Sequence, residues 1–429
     1  MFDPTEPGFL ADPYPTLSAL REETPVLYEE TLGRWFVTRH ADVRACLRDK
    51  RLGRNFRHVG SEEEFGAEPL DPRRQAFWDS ERWSLLWLEP PEHTRIRKLV
   101  AAAFTPRSVE SLRSTAEDLA HEILEPHLAR GAMELLRDYA QPYSIAVICR
   151  MLGVPTDRQH DLLDWSHAMV KMYEFDTTEE QAAAATQAAA DFRHYVLELI
   201  EARRREPGDD MVAALVEARV DGEGLSDAEI VSTIIVLLNA GHEATVNTLG
   251  NGVRALMRHP DEWHRLLTGE VSPAAAVEEL IRWDPPLQLF ERWVLEKGVE
   301  VAGRPIPRGQ RLSLLFGSAN RDPRVFDDPE RFDLARPNAA EHLGFGGGIH
   351  VCIGAPLARI ELEASLRTLV ERAPGLKLTE EPRRNPAFVI WGLEGVNVRF
   401  QSNDTGRRPR PAGSRCAGRC CSRSGSQGR

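Results

Sequence analysis

Lysine is scarce in this 429-residue chain, which has five Lys among 54 basic residues. The bias is compositional and carries no function. Long apolar runs are missing too. The longest, Ile230 to Gly241, is interrupted by Ser232, Thr233 and Asn239 and is followed by His242 and Glu243. A bilayer needs roughly 20 apolar residues in succession. The opening MFDPTEPGFLADPYP has neither the basic region nor the apolar region of a signal peptide. A soluble, cytoplasmic, monomeric protein without a membrane partner is expected. A disulfide framework is also missing: Cys46, Cys149 and Cys352 are scattered, and Cys416, Cys420 and Cys421 crowd the end. Cys46 and Cys149 sit among apolar residues and read as buried thiols. The net charge of −12 argues against a nucleic-acid surface. No internal repeat occurs, and no flavin or nicotinamide fingerprint.

What the chain does have is helix. The start reads as two strands, Val26–Glu30 and Arg34–Thr38, turning at Gly33, then a helix over His40–Arg48. Residues 53–82 read mostly as loop. From Pro91 to about Ile281, alanine-rich amphipathic stretches are punctuated by prolines. One helix stands out. It starts at a capping box, Ser226 to Glu229, and runs to His259, about 50 Å at 1.5 Å per residue. Being apolar nearly all round, it should cross the middle of the fold. After Pro286 short strands are expected at Arg292–Glu296, Val299–Val301 and Arg311–Leu315. An irregular stretch from Asn320 to His350 and a helix beginning near Gly354 follow. A hairpin of Ala387–Trp391 with Val396–Phe400 closes the body. Residues 402–429 hold seven Arg, one Asp and many Ser, Gly and Pro. They cannot bury a core and are expected to be a disordered tail on a 1–401 domain. The tail's cysteines leave a metal-binding reading open, without a histidine to support it.

The sharpest chemical signal is FGGGIHVCIG, residues 345–354. An iron-binding thiolate needs backbone donors and a positive environment. The glycines would let the chain approach a flat macrocycle closely, and the helix after Cys352 would aim its first N–H groups at the sulfur. A buried free cysteine beside a glycine-rich loop is the alternative. A phosphate loop fits poorly, because no strand precedes the glycines and no Lys-Ser/Thr follows. Phe345, His350, Cys352 and Gly354 stand at the spacing of the cytochrome P-450 heme loop, which this segment resembles.

Three further motifs keep the family order. Glu279 and Arg282 share a helix face, a spacing also found at Glu110/Arg113, Glu134/Arg137 and Glu262/Arg265, where it reads as solvated pairs. The resemblance implies that Glu279 and Arg282 meet Arg331 of Pro329-Glu330-Arg331-Phe332 in a buried network bracing the Cys352 loop. His93 and Arg97 open a helix after Pro90-Pro91. They form either an exposed basic face or, as the resemblance implies, a clamp on the heme propionates with Arg292 and His350. Glu89 stands where the family usually has Asp.

The AGHEAT segment, residues 240–245, lies in the long helix and resembles the oxygen-binding motif. Small residues there leave room for dioxygen, and Glu243 is an acid in an apolar helix. It serves a proton path or pairs locally. The family usually follows that acid with Thr. Here Ala244 takes the place and Thr245 lies about 100° further round. A substrate hydroxyl could fill the gap.

The resemblance covers essentially residues 1–401. It implies a mainly α fold with a small β-rich region and heme b (iron protoporphyrin IX) held between the long helix and the Cys352 loop. The implied reaction is monooxygenation: one atom of O2 enters an apolar organic substrate. Electrons would come from a ferredoxin-type donor with its reductase, docking near Lys98, Arg107, Arg113 and Arg359. Leu237, Ala240, Leu287, Leu289, Phe290, Val389, Ile390 and Trp391 are candidates for the substrate pocket or, alternatively, core residues. A peroxide-driven peroxygenase or isomerase, and a noncatalytic heme sensor, share Cys352 and stay open.

Overall fold

The computed structural model describes residues 2–400. The tail and its cysteines lie outside the described residues. No described helix is long and apolar enough to cross a membrane.

The central helix, Asp227–Arg258, is continuous through Gly241. Its capping box forms as the sequence predicts. The Ser226 hydroxyl accepts from the Glu229 N–H, and the Glu229 carboxylate accepts from the Ser226 N–H at 2.8 Å. Most of its residues are buried, because helices pack on nearly every side. Gly252 permits one close crossing: a Cβ there would lie 2.7 Å from Leu280 Cδ1 on the helix Pro273–Trp283.

Five strands form the larger sheet. Val26–Glu29 pairs antiparallel with Arg34–Val37, which runs parallel to Arg311–Leu315. Leu289–Val294 pairs antiparallel with Arg311–Leu315, and Leu52–Gly53 closes the edge. The Leu289–Val294 strand begins three residues before the expected Arg292. Residues 53–82 also carry more structure than expected. Glu62–Phe65 is a short helix with a capping box at Ser61, and Gln75–Glu81 is a helix that buries Phe77.

The hairpin expected over 387–400 does not form. Asn397–Phe400 instead lies between Ala132–Glu134 and Leu376–Leu378. The reason lies in its expected partner. The N–H groups of Phe388, Val389 and Ile390 all donate to the Glu174 carboxylate, at 3.2, 3.0 and 2.8 Å. Those amides are therefore unavailable to a neighbouring strand. Ile390 makes only an isolated bridge to Leu287.

Candidate active site

The Cys352 loop is held from both ends. The Cys352 N–H donates to Phe345 O at 2.9 Å. Gly346 and Gly348 have φ of +69° and +66°, which favours glycine. At Gly348 a second constraint acts: a Cβ would meet Leu47 O at 2.2 Å. This glycine permits close contact with the helix His40–Cys46 and its cap, a constraint that sequence reading did not anticipate.

Cys352 is exposed, whereas Cys46 and Cys149 are buried. Burial pushes those two thiols up to about 12. At Cys352 desolvation by the surrounding chain also raises the thiol. The N–H groups of Gly354 and Ala355, then the charges of Arg97 and Arg359, act against it. Gly354 caps the helix Ala355–Arg372, so the donors are that helix's first amides.

Around the loop stand four cationic or imidazole groups. Arg97 Nη2 donates to Val351 O at 2.7 Å. The His93 and His350 rings lie 4.6 Å apart. His350 contacts Leu85 O and Glu89 Oε1, both at 3.2 Å. Glu89 thereby acquires a role: it orients His350, and it also accepts from the Arg54 N–H. Burial pushes His93 down to about 4, helped by His350 and Arg97. Arg292 is fully buried, and desolvation with repulsion from Arg54 lowers it to about 9. His93 Nε2 and Arg292 Nη2 are buried without a hydrogen-bond partner. Buried donors of this kind call for an anionic acceptor. Two propionates beside an exposed thiol meet that need, so the residues present fit a heme. Arg54 escaped sequence reading. Its guanidinium stacks 4.1 Å over Phe290 and donates to Leu86 O and Glu291 O.

In the largely buried central helix, Ala240 and Ala244 are exposed, one turn apart, with Leu237, Gly241 and Glu243 half-buried around them. Burial raises the Glu243 carboxyl, with His167 and Lys171 opposing. Its Oε1 lies 3.3 Å from His167 Nε2. Thr245 is buried and turns to the opposite side, where its hydroxyl and that of Ser144 face the Glu361 carboxyl. Burial pushes Glu361 up to about 8, against those hydroxyls. Sequence reading missed Glu361, although a signal was present. Leu357, Glu361, Ala364 and Thr368 follow helical spacing, and all four are buried.

The bracing network forms with a different third member. Glu279 and Arg282 are fully buried and joined by two bonds, 2.6 and 2.8 Å. Arg331 is exposed and offers only its carbonyl, to Arg282 and Arg336. The side chain that reaches Glu279 is Arg336, at 3.4 Å. Arg331 is followed by Phe332, which buries its ring, and the chain then turns so that Arg336 points back. Arg282 also donates to Asn320 O, and Asn320 Oδ1 accepts from the Leu343 N–H at 2.7 Å, two residues before Phe345. Beside it Glu278 is held down to about 2: burial opposes this, but His342 and Arg359 outweigh it. Of the look-alike pairs, Glu110/Arg113 is exposed as expected. Arg137 pairs with Asp138 instead, and Glu262 is buried, accepting from Leu334 N–H.

The pocket candidates divide. Leu237, Ala240, Leu287, Phe290 and Ile390 keep some exposure. Leu289, Val389 and Trp391 belong to a core cluster with Phe36 and Phe388, and Trp391 Nε1 donates to Asp284. Of the basic residues expected near Cys352, Arg113 pairs with Glu110 and Glu363, and Arg359 pairs with Glu278. Lys98 and Arg107 form no ion pair among the described residues.

A mainly helical fold with a cysteine presented at a helix N-terminus, beside arginines and imidazoles of which Arg292 and His93 each keep an unpartnered buried nitrogen, has the features of a heme-thiolate protein. Comparison with known proteins agrees. The family model "Cytochrome P450" matches residues 74–268 and 274–378. The 6-deoxyerythronolide B hydroxylase of Saccharopolyspora erythraea is 38% identical over 403 residues, spanning 92% of this chain and 97% of that protein. The polyketide biosynthesis cytochrome P450 PksS of Bacillus subtilis is 35% identical over 411 residues, 93% of this chain and 98% of its own. The crystal structure of P450BioI with an acyl carrier protein ligated to hexadec-9Z-enoic acid superposes with a TM-score of 0.85 at 32% identity. It covers 92% of this chain and 99% of that one. The chain belongs to the cytochrome P450 family. It is a monooxygenase whose cofactor is heme b.

Proposed function

We propose that this enzyme inserts one atom of O2 into a C–H bond or double bond of an apolar small molecule, with electrons from a ferredoxin-type donor and its reductase. Cys352 would ligate the heme iron, and His93, Arg97, Arg292 and His350 would hold the propionates. When bound, the heme supplies dioxygen activation, which thiolate donation favours. The observation that carries the reading is the exposed Ala240–Ala244 strip in the central helix, together with the unpartnered Arg292 and His93. Leu237, Leu287, Phe290 and Ile390 offer apolar surface to the substrate.

Neither Ala244 nor Thr245 brings a hydroxyl to that strip, since Thr245 faces Glu361. A hydroxyl on the substrate fills this place, and Glu243 moves protons toward it. The names of the relatives, a polyketide biosynthesis enzyme and a 6-deoxyerythronolide B hydroxylase, support a secondary metabolite as substrate. Ile349 and Val351, exposed beside Cys352, and the unpaired Lys98 and Arg107 suit a donor docking there.

The test is a ligand screen read by the heme spin-state change, then product and hydrogen peroxide per reducing equivalent. Hydroxylated ligands should couple tightly and their deoxy analogues poorly. Ala244→Thr should improve the analogues only. Tight wild-type coupling with a plain hydrocarbon would refute substrate assistance. Product from hydrogen peroxide alone, with none from the donor system, would refute the electron partner.

A further inference from the structure

The central helix meets the helix Gln159–Val170 at a polar cluster that the heme site does not explain. His167 comes from the latter, and His242 and Glu243 from the central helix. One ligating atom from each lies within 4.8 Å of the other two.

The cluster is not satisfied by its own hydrogen bonds. His242 is fully buried, and neither ring nitrogen has a partner. Glu243 Oε1 also has none, although His167 Nε2 is only 3.3 Å away. The two atoms are close without the alignment of a hydrogen bond. One turn earlier Asn239 Oδ1 is buried and unpartnered as well. Residues 239, 242 and 243 share one face of the helix. Several orphaned lone pairs on one buried face point to a cation.

We propose that His167, His242 and Glu243 form a site for a zinc-class divalent cation. Two imidazole nitrogens and one carboxylate oxygen match the donor set of open zinc sites, leaving a fourth position for water. Tetrahedral zinc, with bonds of about 2.0–2.1 Å, sets its ligand atoms roughly 3.3 Å apart. The His167–Glu243 pair already has that separation. His242 offers a nitrogen within 4.8 Å of both. His167 is half-buried, which gives the ion a route in from solvent. Bound there, the cation ties the two helices together and occupies Glu243 Oε1. Zinc then inhibits turnover, a consequence that rests on Glu243 serving the proton path, whereas binding itself does not.

The test is zinc uptake by the full-length holoenzyme in equilibrium dialysis. The background carries Cys416→Ser, Cys420→Ser and Cys421→Ser, so that uptake by tail thiols is removed from the measurement. One ion per chain is expected, with a dissociation constant on the order of micromolar. His167→Ala and His242→Ala should each weaken uptake by about tenfold or more. Glu243→Gln, which keeps the side-chain volume, guards against a folding artefact, and a normal ferrous–CO spectrum certifies each variant. No uptake at about 100-fold above that concentration, or equal uptake in all variants, would overturn the site. Zinc should slow turnover in the parent and not in His167→Ala. Stoichiometric binding with unaltered turnover would overturn the inhibition while leaving the monooxygenase reading intact.

Discussion

Replacing Glu361 by Gln removes a titration from the middle of the protein. In the folded chain the carboxyl titrates near 8, raised from an ordinary 4.5 by burial and only partly offset by the Ser144 and Thr245 hydroxyls. Between those values the native state holds a proton that the unfolded chain has released. Folding stability must therefore fall as pH rises through this window. Gln keeps the shape of the protonated form and does not titrate. A tenfold difference in proton affinity between the folded and unfolded chains corresponds to about 1.36 kcal/mol. From pH 5 to pH 8 the variant should accordingly gain about 3 kcal/mol over wild type. At about 2.1 cal/mol/K per residue for roughly 400 residues, this is a relative rise in Tm of about 3–4 °C. Scanning calorimetry of both holoenzymes at matched scan rates across this range measures it. A Tm difference that stays flat with pH, or falls, would show that Glu361 ionises normally in the folded state.

Three other outcomes are expected. Cys352→Ser should keep most of the fold and lose the thiolate-shifted Soret band of the ferrous–CO complex; a wild-type band would remove Cys352 from the iron. Glu279→Ala should cost about 3–5 kcal/mol by stranding the buried Arg282 and Arg336, whereas Arg331→Ala should cost about 0.5 kcal/mol or less, both read by thermal unfolding. Arg107→Glu should slow reduction by a ferredoxin donor at low ionic strength, and the difference should shrink in salt; equal rates at every salt concentration would place the donor elsewhere.

The parts of the molecule that sequence reading reached share a physical property: their partners are close along the chain. The capping box of the central helix, the Gly354 N-terminus behind Cys352 and the Glu279–Arg282 pair all lie within one helical turn. Distant closures were harder. Arg331 and Arg336 are both arginines just beyond Glu330, and only the turn after Phe332 decides which guanidinium reaches Glu279. The 387–391 segment has strand-like residues, but its amides are captured by Glu174, more than 200 residues earlier. Leu289, Val389 and Trp391 are apolar whether they line a pocket or a core, and burial alone separates the two. Glu361 was missed, although helical spacing sets its carboxylate on the apolar face of its helix.

The Glu174 clasp also has a kinetic side. It fastens the segment after the helix Gln159–Val170 to the loop bearing Ile390, which retains exposure near the proposed substrate surface. Parting these segments means releasing three amides from one carboxylate together, since losing one leaves the other two in place. At about 1 kcal/mol net for each bond, the fastened arrangement outweighs the parted one by a factor on the order of 100. Passage of a ligand between these segments would then proceed through rare, concerted openings, and its residence time would reflect the frequency of those openings as well as its own affinity.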